Sequence, residues 1–288
     1  MKVLLAACAA QPTGDGDDDA LLPALADLGV TARWFVWDRD PCDAADLVVL
    51  RAPWDYVERR DEFLAWCDSV PALANPARAV RWSTDKSYLA DLASDGVPVV
   101  PTALVRPGET ASWPSGPFVV KPAVGAGSRD AARFAADEHD AAAAHLAHLH
   151  ERGFTALVQP YQQRVDADGE TALVFLGGVY SHAFTKGAML TPDARHDASG
   201  LYVLERLSGA APDAGRRRLA EDALDSAAHR LGLTRADLLY ARVDLVAGDD
   251  GHPLVLELEL AEPSLGFRQT GRDAPGRFAS AVRAALRR

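Results

Sequence analysis

The fold of this 288-residue chain is decided by residues 239–260, LYARVDLVAGDDGHPLVLELEL. Two apolar runs, Leu239–Val246 and Pro253–Leu260, flank the turn-forming segment Gly248–Gly251, and this pattern predicts an antiparallel β-hairpin. Successive side chains of a strand point to opposite faces. One face of the hairpin is therefore predicted to be apolar, and the other to carry a charged group that consists of Arg242, Asp244, Glu257 and Glu259.

The register of the hairpin follows from the position of its turn. With the turn centred on the two aspartates at 249 and 250, the predicted cross-strand pairs are Asp244 with Val255 and Arg242 with Glu257. The apolar face then includes Leu254 and Leu256, while Val255 shares the charged face. The three carboxylates on that face repel one another, and Arg242 is the cation of the hairpin that offsets them.

Two interpretations of the charged face stay open at this point. It could be the solvated outer side of an amphipathic hairpin. It could instead be a metal site, because hard divalent cations prefer clustered carboxylate oxygens. Mg²⁺ usually combines one or two protein carboxylates with phosphate oxygens, so a nucleotide is the natural second half of such a site.

Lysine is scarce in this chain, which has four lysines among its 30 basic residues, namely Lys2, Lys86, Lys121 and Lys186. Lys121 follows an apolar run and precedes Gly125-Ala126-Gly127-Ser128, whose backbone N–H groups could approach phosphate oxygens. The segment matches neither a Walker loop nor a Rossmann fingerprint, and a surface turn is the alternative. Because an ammonium group is a good partner for phosphate, Lys86, Lys121 and Lys186 are candidate nucleotide contacts.

Composition narrows the function further. The net charge of -11 argues against nucleic acid and anionic membranes as partners. No apolar run reaches the 18 residues of a transmembrane helix. Three scattered cysteines indicate a reducing, cytoplasmic location, and the lipoprotein-like box Leu5–Cys8 is better explained as part of a buried first strand.

Periodicity and turn signals predict the remaining elements. A strand at Val3–Ala7, a helix near Ala20–Leu28 and strands at Thr31–Trp37 and Leu47–Leu50 predict a doubly wound N-terminal α/β unit. Ser83 is the predicted N-cap of a helix that extends to Asp95. Later strands are predicted at 118–120 and 156–159, a Gly-Gly hairpin at 171–184, and helices at 137–152, 213–231 and 276–287. Residues 187–207 are predicted to form a surface or active-site loop.

Taken in order along the chain, these motifs resemble the ATP-grasp superfamily. The resemblance rests on Asp85-Lys86, Phe118–Pro122, the small-residue loop, Val158–Tyr161, Arg242–Asp244 and Glu257–Glu259, and it covers nearly the whole chain. It implies an α/β ATP-grasp fold with three parts. These are an N-terminal α/β substrate-side domain (1–84), a lid subdomain (85–160) and a C-terminal α+β subdomain with the metal site (161–288).

The resemblance also implies roles for individual residues. Those expected to bind the ATP cofactor are Lys86, Lys121, Gly125, Ala126, Gly127, Ser128, Gln159, Pro160 and Tyr161. Two Mg²⁺ ions, replaceable by Mn²⁺, are expected on Asp244, Glu257 and Glu259. Many members of the superfamily have Asn where this chain has Glu259. The expected catalytic residues are Arg242, Lys186 and Arg268, and the expected substrate contacts are Arg51, Trp54, Asp55 and His182. Structural ion pairs or packing are the alternatives for the arginines, Trp54, Asp55 and His182.

A narrower similarity is to the O-ureido-serine cyclo-ligase group, which forms cycloserine, and to related glutathione-synthetase-like bacterial ligases. It rests on Arg51–Tyr56, Tyr180–Gly187 and Glu259–Leu265. It implies a carboxylate–amine ligase that forms an acylphosphate from a small amino-acid-like substrate and then a C–N bond, with intramolecular cyclisation as one form. The alternatives are a dipeptide or amide ligase that joins two molecules, a kinase-like phosphotransferase, and a nucleotide-binding regulator. Monomer and homodimer are both compatible with the sequence.

Overall fold

The N-terminal part of the protein contains the predicted doubly wound unit. The computed structural model describes residues 1–42, 44–191, 195–271 and 273–287. A parallel sheet consists of β1 (Lys2–Ala7), β2 (Thr31–Val36), β3 (Leu47–Ala52) and β4 (Leu73–Ala74), in the order β2-β1-β3-β4. It is accompanied by the helices α1 (Leu21–Asp27), α2 (Arg60–Ser69) and α3 (Ala77–Ser83), and by 3-10 turns at Asp17–Ala20 and Trp54–Arg59. The apolar run of β1 is buried between two parallel neighbours, as such runs usually are.

The middle of the chain forms a four-stranded antiparallel sheet. After α4 (Tyr88–Ser94) come β5 (Ala103–Val105), β6 (Phe118–Pro122), β7 (Ala132–Phe134), α5 (His139–Glu151) and β8 (Ala156–Pro160). The strand order is β5-β8-β6-β7. Helix α5 packs Ala142, Leu146 and Leu149 against this sheet. Lys121 is therefore on a strand in the middle of the sheet, next to β8.

The C-terminal part contains a five-stranded antiparallel sheet in the order β11-β10-β9-β12-β13. Its strands are β9 (Glu170–Leu176), β10 (Val179–Lys186), β11 (Leu207–Ala210), β12 (Tyr240–Ala247) and β13 (Pro253–Glu259). Helices α6 (Val165–Asp168), α7 (Ala214–Arg230) and α8 (Asp273–Ala285) and 3-10 turns at Arg235–Asp237 and Phe267–Gln269 complete the fold. The predicted Gly-Gly hairpin between β9 and β10 is confirmed, with both glycines at positive φ.

The decisive hairpin, β12–β13, is an interior element. Every residue of β12 is buried. Helices α4 and α7 cover one face of the sheet, while α1 and α8 contribute to the core on the other. Arg242 is 6% exposed and Asp244 is not exposed at all. The solvated-face interpretation is therefore wrong for these two residues, while Glu257 and Glu259 are half-buried.

The predicted register of the hairpin is also wrong. Asp244 pairs with Glu257, and Arg242 with Glu259, because a bulge separates these pairs from the pair Leu245–Val255. An extra residue in one strand reverses the side-chain alternation beyond it. Val255 consequently points into the apolar core with Val243 and Leu258. Leu254 and Leu256 instead lie with Val246, on the side that the sequence assigned to charge.

A second correction concerns the predicted helix from Ser83 to Asp95. Ser83 is the last residue of α3, and the next helix, α4, begins only at Tyr88. The Ser83 hydroxyl accepts a hydrogen bond from the backbone N–H of Leu260 (3.0 Å), so it anchors the hairpin instead of capping a helix. Lys86 lies in the turn between α3 and α4, where its backbone N–H donates to Ala123 O (2.8 Å). This contact fixes the lysine beside the small-residue loop.

The predicted domain limits fall between sheets. Strand β4 ends at Ala74 and β5 begins at Ala103, while β8 ends at Pro160 and β9 begins at Glu170. The limits at residues 84 and 160 stay predictions. None of the helices in the described part of the chain is both long and apolar enough to cross a membrane.

Candidate functional site

A cavity of about 340 Å³ lies where the three sheets meet. Its walls come from the N-terminal unit (Asp15, Trp54), the middle sheet (Lys121, Gln159) and the hairpin (Glu257). This size is within the range of small-molecule sites. The predicted residues that line it are Trp54, Lys86, Lys121, Gly125, Ala126, Gly127, Ser128, Gln159, Pro160, Tyr161, Lys186, Arg242, Glu257, Glu259 and Arg268.

At the hairpin end of this cavity, the structure brings the three predicted metal ligands together. One carboxylate oxygen from each of Asp244, Glu257 and Glu259 lies within 4.8 Å of the other two. The bulge contributes to this arrangement, because it sets Asp244 opposite Glu257 and leaves Glu259 opposite Arg242. An all-oxygen donor set of this kind fits a hard cation such as Mg²⁺.

Asp244 is the most deeply buried member of the acidic cluster. Lys186 Nζ donates to it at 2.7 Å, and Arg242 donates through Nε at 2.9 Å and Nη2 at 2.8 Å. Burial alone would raise the pKa of Asp244, but Arg242 and Lys186 outweigh it and hold that pKa below its ordinary value. Asp244 is therefore ionised at neutral pH.

Glu257 is held by the two lysines that the sequence selected. Lys121 Nζ donates to its Oε1 at 3.0 Å, and Lys86 Nζ lies 4.0 Å from the same oxygen while donating to Gly125 O at 2.6 Å. Burial acts to raise the pKa of Glu257, yet Lys86 and Lys121 lower it well below its usual value. Lys86 thus bridges the carboxylate cluster and the small-residue loop, and Lys121 lies beside it on the same carboxylate.

Glu259 is in a different electrostatic environment from its two neighbours. It pairs with Arg242, but burial raises its pKa, and the charges of Asp244 and Glu257 raise it further against the effect of Arg242. A cation placed among the three carboxylates would reverse this repulsion. Glu259, at a position where Asn is common in the superfamily, therefore adds repulsion that a bound cation would relieve.

The opposite end of the cavity is apolar. Val100, Val119, Tyr161 and Val246 form a buried cluster against which Leu256 packs. The side-chain amide of Gln159 donates to Thr102 Oγ1 (2.8 Å). The hydroxyl of Tyr161 donates to Asp166 (2.5 Å). This end of the cavity suits a flat apolar ring next to the predicted hinge Gln159–Tyr161.

The small-residue loop lies beneath the described part of the predicted loop 187–207. Gly127 O accepts from Val203 N (3.0 Å), and a Cβ on Gly127, which has φ +62°, would lie 2.5 Å from Leu201 O. Asp197 holds this covering segment (residues 195–206) by accepting from the backbone N–H groups of its own turn and from Gln11 Nε2 (3.1 Å). Residues 192–194 of the predicted loop lie outside the described residues.

Three predicted substrate contacts lie away from the cavity. Arg51 is 1% exposed, and its Nε and Nη2 each donate to Asp18 at 3.0 Å. Asp55 accepts from Arg59 Nη2 and Trp37 Nε1, both at 2.9 Å. These contacts favour the structural alternative for Arg51 and Asp55, and their role as substrate contacts stays a prediction.

His182 is the third of these predicted contacts. Its Nε2 lies 2.7 Å from Leu265 O and its Nδ1 lies 2.8 Å from Ser181 Oγ. Burial lowers its pKa, so the ring is neutral at physiological pH. The hydrogen bond to Leu265 ties β10 to the segment that follows the hairpin, which again indicates a structural role.

The structure also adds charged and polar residues that the sequence prediction missed. Glu170 is buried opposite Lys186 on the neighbouring strand, with Oε2 2.8 Å from its Nζ. The predicted hairpin, 171–184, ended just short of this pair, and extending both of its strands outward would have included Glu170 and Lys186. Tyr56 and Glu262 also line the cavity. Both belong to motifs quoted above, but neither spacing nor periodicity indicated that their side chains meet.

Known proteins resemble this chain in sequence and in fold. The sequence profile of the N-terminal domain of D-cycloserine synthetase DcsG matches residues 3–77. The cycloserine biosynthesis protein DcsG of Streptomyces lavendulae is 41% identical in an alignment of 283 residues that covers 93% of each chain. The crystal structure of D-cycloserine synthetase DcsG matches with a TM-score of 0.87 and 38% identity, over 99% of this chain and 100% of that one. The ATP-grasp ligase PsnB, solved with a minimal precursor, Mg and ADP, shares the fold, with a TM-score of 0.61 at 18% identity over 99% and 97% of the two chains.

Proposed function

The chain belongs to the DcsG family of ATP-grasp ligases, and we propose that it forms the ring of cycloserine from O-ureido-serine. Mg-ATP would activate the carboxylate of this substrate. The observation that carries the proposal is the arrangement of the cavity. An apolar end suits a nucleotide base, and a cluster of three carboxylates at the other end is flanked by Lys86 and Lys121. A substrate carboxylate placed beside this cluster meets the terminal phosphate of ATP.

The first step is transfer of a phosphoryl group. A carboxylate oxygen of the substrate attacks the γ-phosphorus, the bond to the β-phosphate oxygen breaks, and ADP leaves. Asp244, Glu257 and Glu259 would hold Mg²⁺, which when bound offsets the negative charge of the phosphates. Lys86, Lys121 and the loop 125–128 bind the phosphates. Arg242, whose Nη1 donates to Ser264 O at 2.9 Å, presents its guanidinium group at the same place.

The second step closes the ring. The ureido nitrogen that is bonded to oxygen attacks the acylphosphate carbonyl, loses its proton, and expels inorganic phosphate. The ring nitrogen still carries a carbamoyl group, and hydrolysis with one water releases it as CO₂ and ammonia. The protein acts by positioning and electrostatics, because no covalent nucleophile is needed. The covering segment 195–206 keeps bulk water from the acylphosphate.

The test is product analysis with O-ureido-D-serine and Mg-ATP, followed by mass spectrometry and ADP assay. We expect ADP, phosphate and cycloserine in equal amounts, without any second amine. ADP release that depends on an added amine, with a joined product, would identify an intermolecular ligase instead. A phosphorylated product without a new C–N bond would identify a kinase-like enzyme.

A further inference from the structure

Glu262 is a buried acid of the cavity that the proposed reaction does not use. It is 8% exposed and lines the cavity, and its side chain is hydrogen-bonded to the hydroxyl of Tyr56, which is 2% exposed. Asp244, Glu257, Glu259 and Glu170 each form an ion pair with a lysine or arginine. Within the described part of the chain, no ion pair includes Glu262.

An unpaired acid in this position is energetically unfavourable. Burying a carboxylate without a cation costs several kcal/mol in general, unless a partner or a proton compensates. Tyr56 supplies a hydrogen bond but no charge. Burial, and then repulsion from Glu259, raises the pKa of Glu262 to about 7, against the smaller opposing effects of Tyr56, Lys86 and Arg242. A positive group supplied by a ligand would remove this penalty.

The surroundings of Glu262 indicate which end of the cavity this ligand occupies. Trp54 Nε1 donates to the backbone carbonyl of Glu262 at 3.2 Å, and the Trp54 ring packs edge-on against Tyr202 of the covering segment. Glu262 therefore lies beside the wall that the N-terminal unit contributes, which is the expected substrate side of the cavity. The ligand that meets this wall is the substrate of the proposed reaction.

The same wall also carries a donor without an acceptor. Arg129 Nη2 is 3.5 Å from Trp54 O, while its buried Nε has no hydrogen-bond partner among the described residues. Trp54 thus connects an unpaired acid and an unsatisfied guanidinium nitrogen. A small molecule with an amine and an oxygen acceptor, such as an amino acid derivative, complements both.

We propose that Glu262, held by Tyr56, binds the amine of the amino-acid substrate and selects substrates that carry one. This inference rests on the proposed function, because it deepens the substrate side of the same cavity. Glu262 would act in binding and selectivity, while phosphoryl transfer takes place at the carboxylate cluster. The group of carboxylates that could hold the metal consists of Asp244, Glu257 and Glu259, and Glu262 is not part of it.

The experiment is calorimetric binding in the presence of Mg²⁺ and a non-hydrolysable ATP analogue. The two probes are O-ureido-D-serine and 3-(ureidooxy)propanoate, which has the same carboxylate and ureido group but no amine. We expect the wild type to prefer the first by roughly 10- to 100-fold in Kd, the range of a hydrogen bond to a charged group. In Glu262→Gln most of this preference should disappear, while the affinity for 3-(ureidooxy)propanoate changes less than about 3-fold. Glu62→Gln, which removes an exposed carboxylate, is the control and should keep the wild-type preference.

Thermal unfolding separates this role from a structural one. Because Glu262 has no cation to lose, Glu262→Gln should unfold at or above the wild-type temperature. An unchanged probe preference in Glu262→Gln would overturn the proposal, as would a marked shift of its Mg²⁺ requirement, which would make Glu262 a metal ligand. If the variant does not fold, Glu262 is structural and the proposal is also wrong.

A second pair of probes separates this proposal from the proposed reaction. D-Serine and 3-hydroxypropanoate differ by the same amine but lack the ureido group. In one outcome, neither ureido probe binds, the wild type still prefers D-serine to 3-hydroxypropanoate, and Glu262→Gln shows no such preference. The proposed reaction is then wrong, and the role of Glu262 in binding an amine stands. If the wild type prefers the amine in neither pair, the role of Glu262 is wrong, whatever the outcome for cycloserine formation.

Discussion

Replacing Glu257 by Gln tests the carboxylate cluster most sharply, because it removes one charge and almost no volume. In the wild type, Glu257 accepts from Lys121 at 3.0 Å, lies 4.0 Å from Lys86, and contributes an oxygen to the cluster with Asp244 and Glu259. Glutamine keeps an oxygen in the same place but binds Mg²⁺ less well. The substitution also removes the negative charge that Lys86 and Lys121 share.

Two magnitudes follow from this geometry. Metal ions supply several kcal/mol of charge stabilisation in such reactions, and each factor of ten in rate is about 1.4 kcal/mol. We therefore expect kcat to fall by at least about 100-fold. The side chains of Lys121 and Glu257 are 12% and 19% exposed, so water partly screens the pair, and its loss should cost about 1–2 kcal/mol of stability. At about 2–4 °C per kcal/mol, the Tm should drop by about 2–8 °C.

The acid dependence of stability has a defined sign. Lys86 and Lys121 hold the pKa of Glu257 below its unfolded value of about 4.3. The stabilisation is therefore complete at neutral pH and is lost as the pH falls below about 4. Glu257→Gln should lack this contribution, so the difference in stability between variant and wild type should shrink in acid.

The assays are coupled ADP release at saturating Mg-ATP, and thermal unfolding followed by circular dichroism. Glu62→Gln is the matched control and should leave both unchanged, because Glu62 is an exposed partner of Arg59. Turnover of Glu257→Gln within about 3-fold of the wild type, with the fold intact, would refute the assignment of Glu257 as a metal ligand.

Three further predictions follow from the structure. Gly127→Ala should raise the KM for ATP several-fold, because the new Cβ would lie 2.5 Å from the covering segment. The control Gly153→Ala has a similar positive φ (+78°) but nothing within 4 Å, so it should lose about 1–2 kcal/mol of stability and keep its KM. Equal KM values in the two variants would show that the segment does not cover the nucleotide. Arg51→Met should lower stability by about 3–5 kcal/mol with KM unchanged, and Arg51→Met/Asp18→Leu should recover much of it; a rise in the KM for substrate without a loss of stability would restore Arg51 as a substrate contact. Removal of divalent metal with EDTA should abolish turnover but shift the Tm by less than about 3 °C, since lysines and arginine already pair with the cluster; a cooperative loss of the fold would contradict this.

The carboxylate cluster could be predicted from the sequence because strand alternation is a local property. Arg242, Asp244, Glu257 and Glu259 share a face whichever of the two registers is used. The bulge could not be predicted, because Val255 and Leu256 are both apolar and either could enter the core. The start of the helix after Lys86 could not be predicted for a similar reason, because a serine can anchor the hairpin from the end of one helix as well as cap the next.

The contacts of the predicted substrate residues could not be derived from the sequence, because their partners lie far away along the chain. Arg51 pairs through Nε and Nη2 with Asp18, which is 33 positions away in an aspartate-rich segment. Tyr56 belongs to the N-terminal unit and Glu262 follows the hairpin, yet their side chains are hydrogen-bonded at the cavity. No periodicity connects such residues, and only the packing of α/β unit and hairpin brings them together. The scarcity of lysine was a better guide, because Lys86, Lys121 and Lys186 all contact the carboxylates of the site.

The central claim is that the substrate carboxylate passes through an acylphosphate before the ring closes. The most direct test uses O-ureido-D-serine labelled with ¹⁸O in both carboxylate oxygens, and follows the label by ³¹P NMR. One labelled oxygen should appear in inorganic phosphate for each cycloserine formed, with ADP as the other product. Phosphate without ¹⁸O, or label in AMP, would contradict the account.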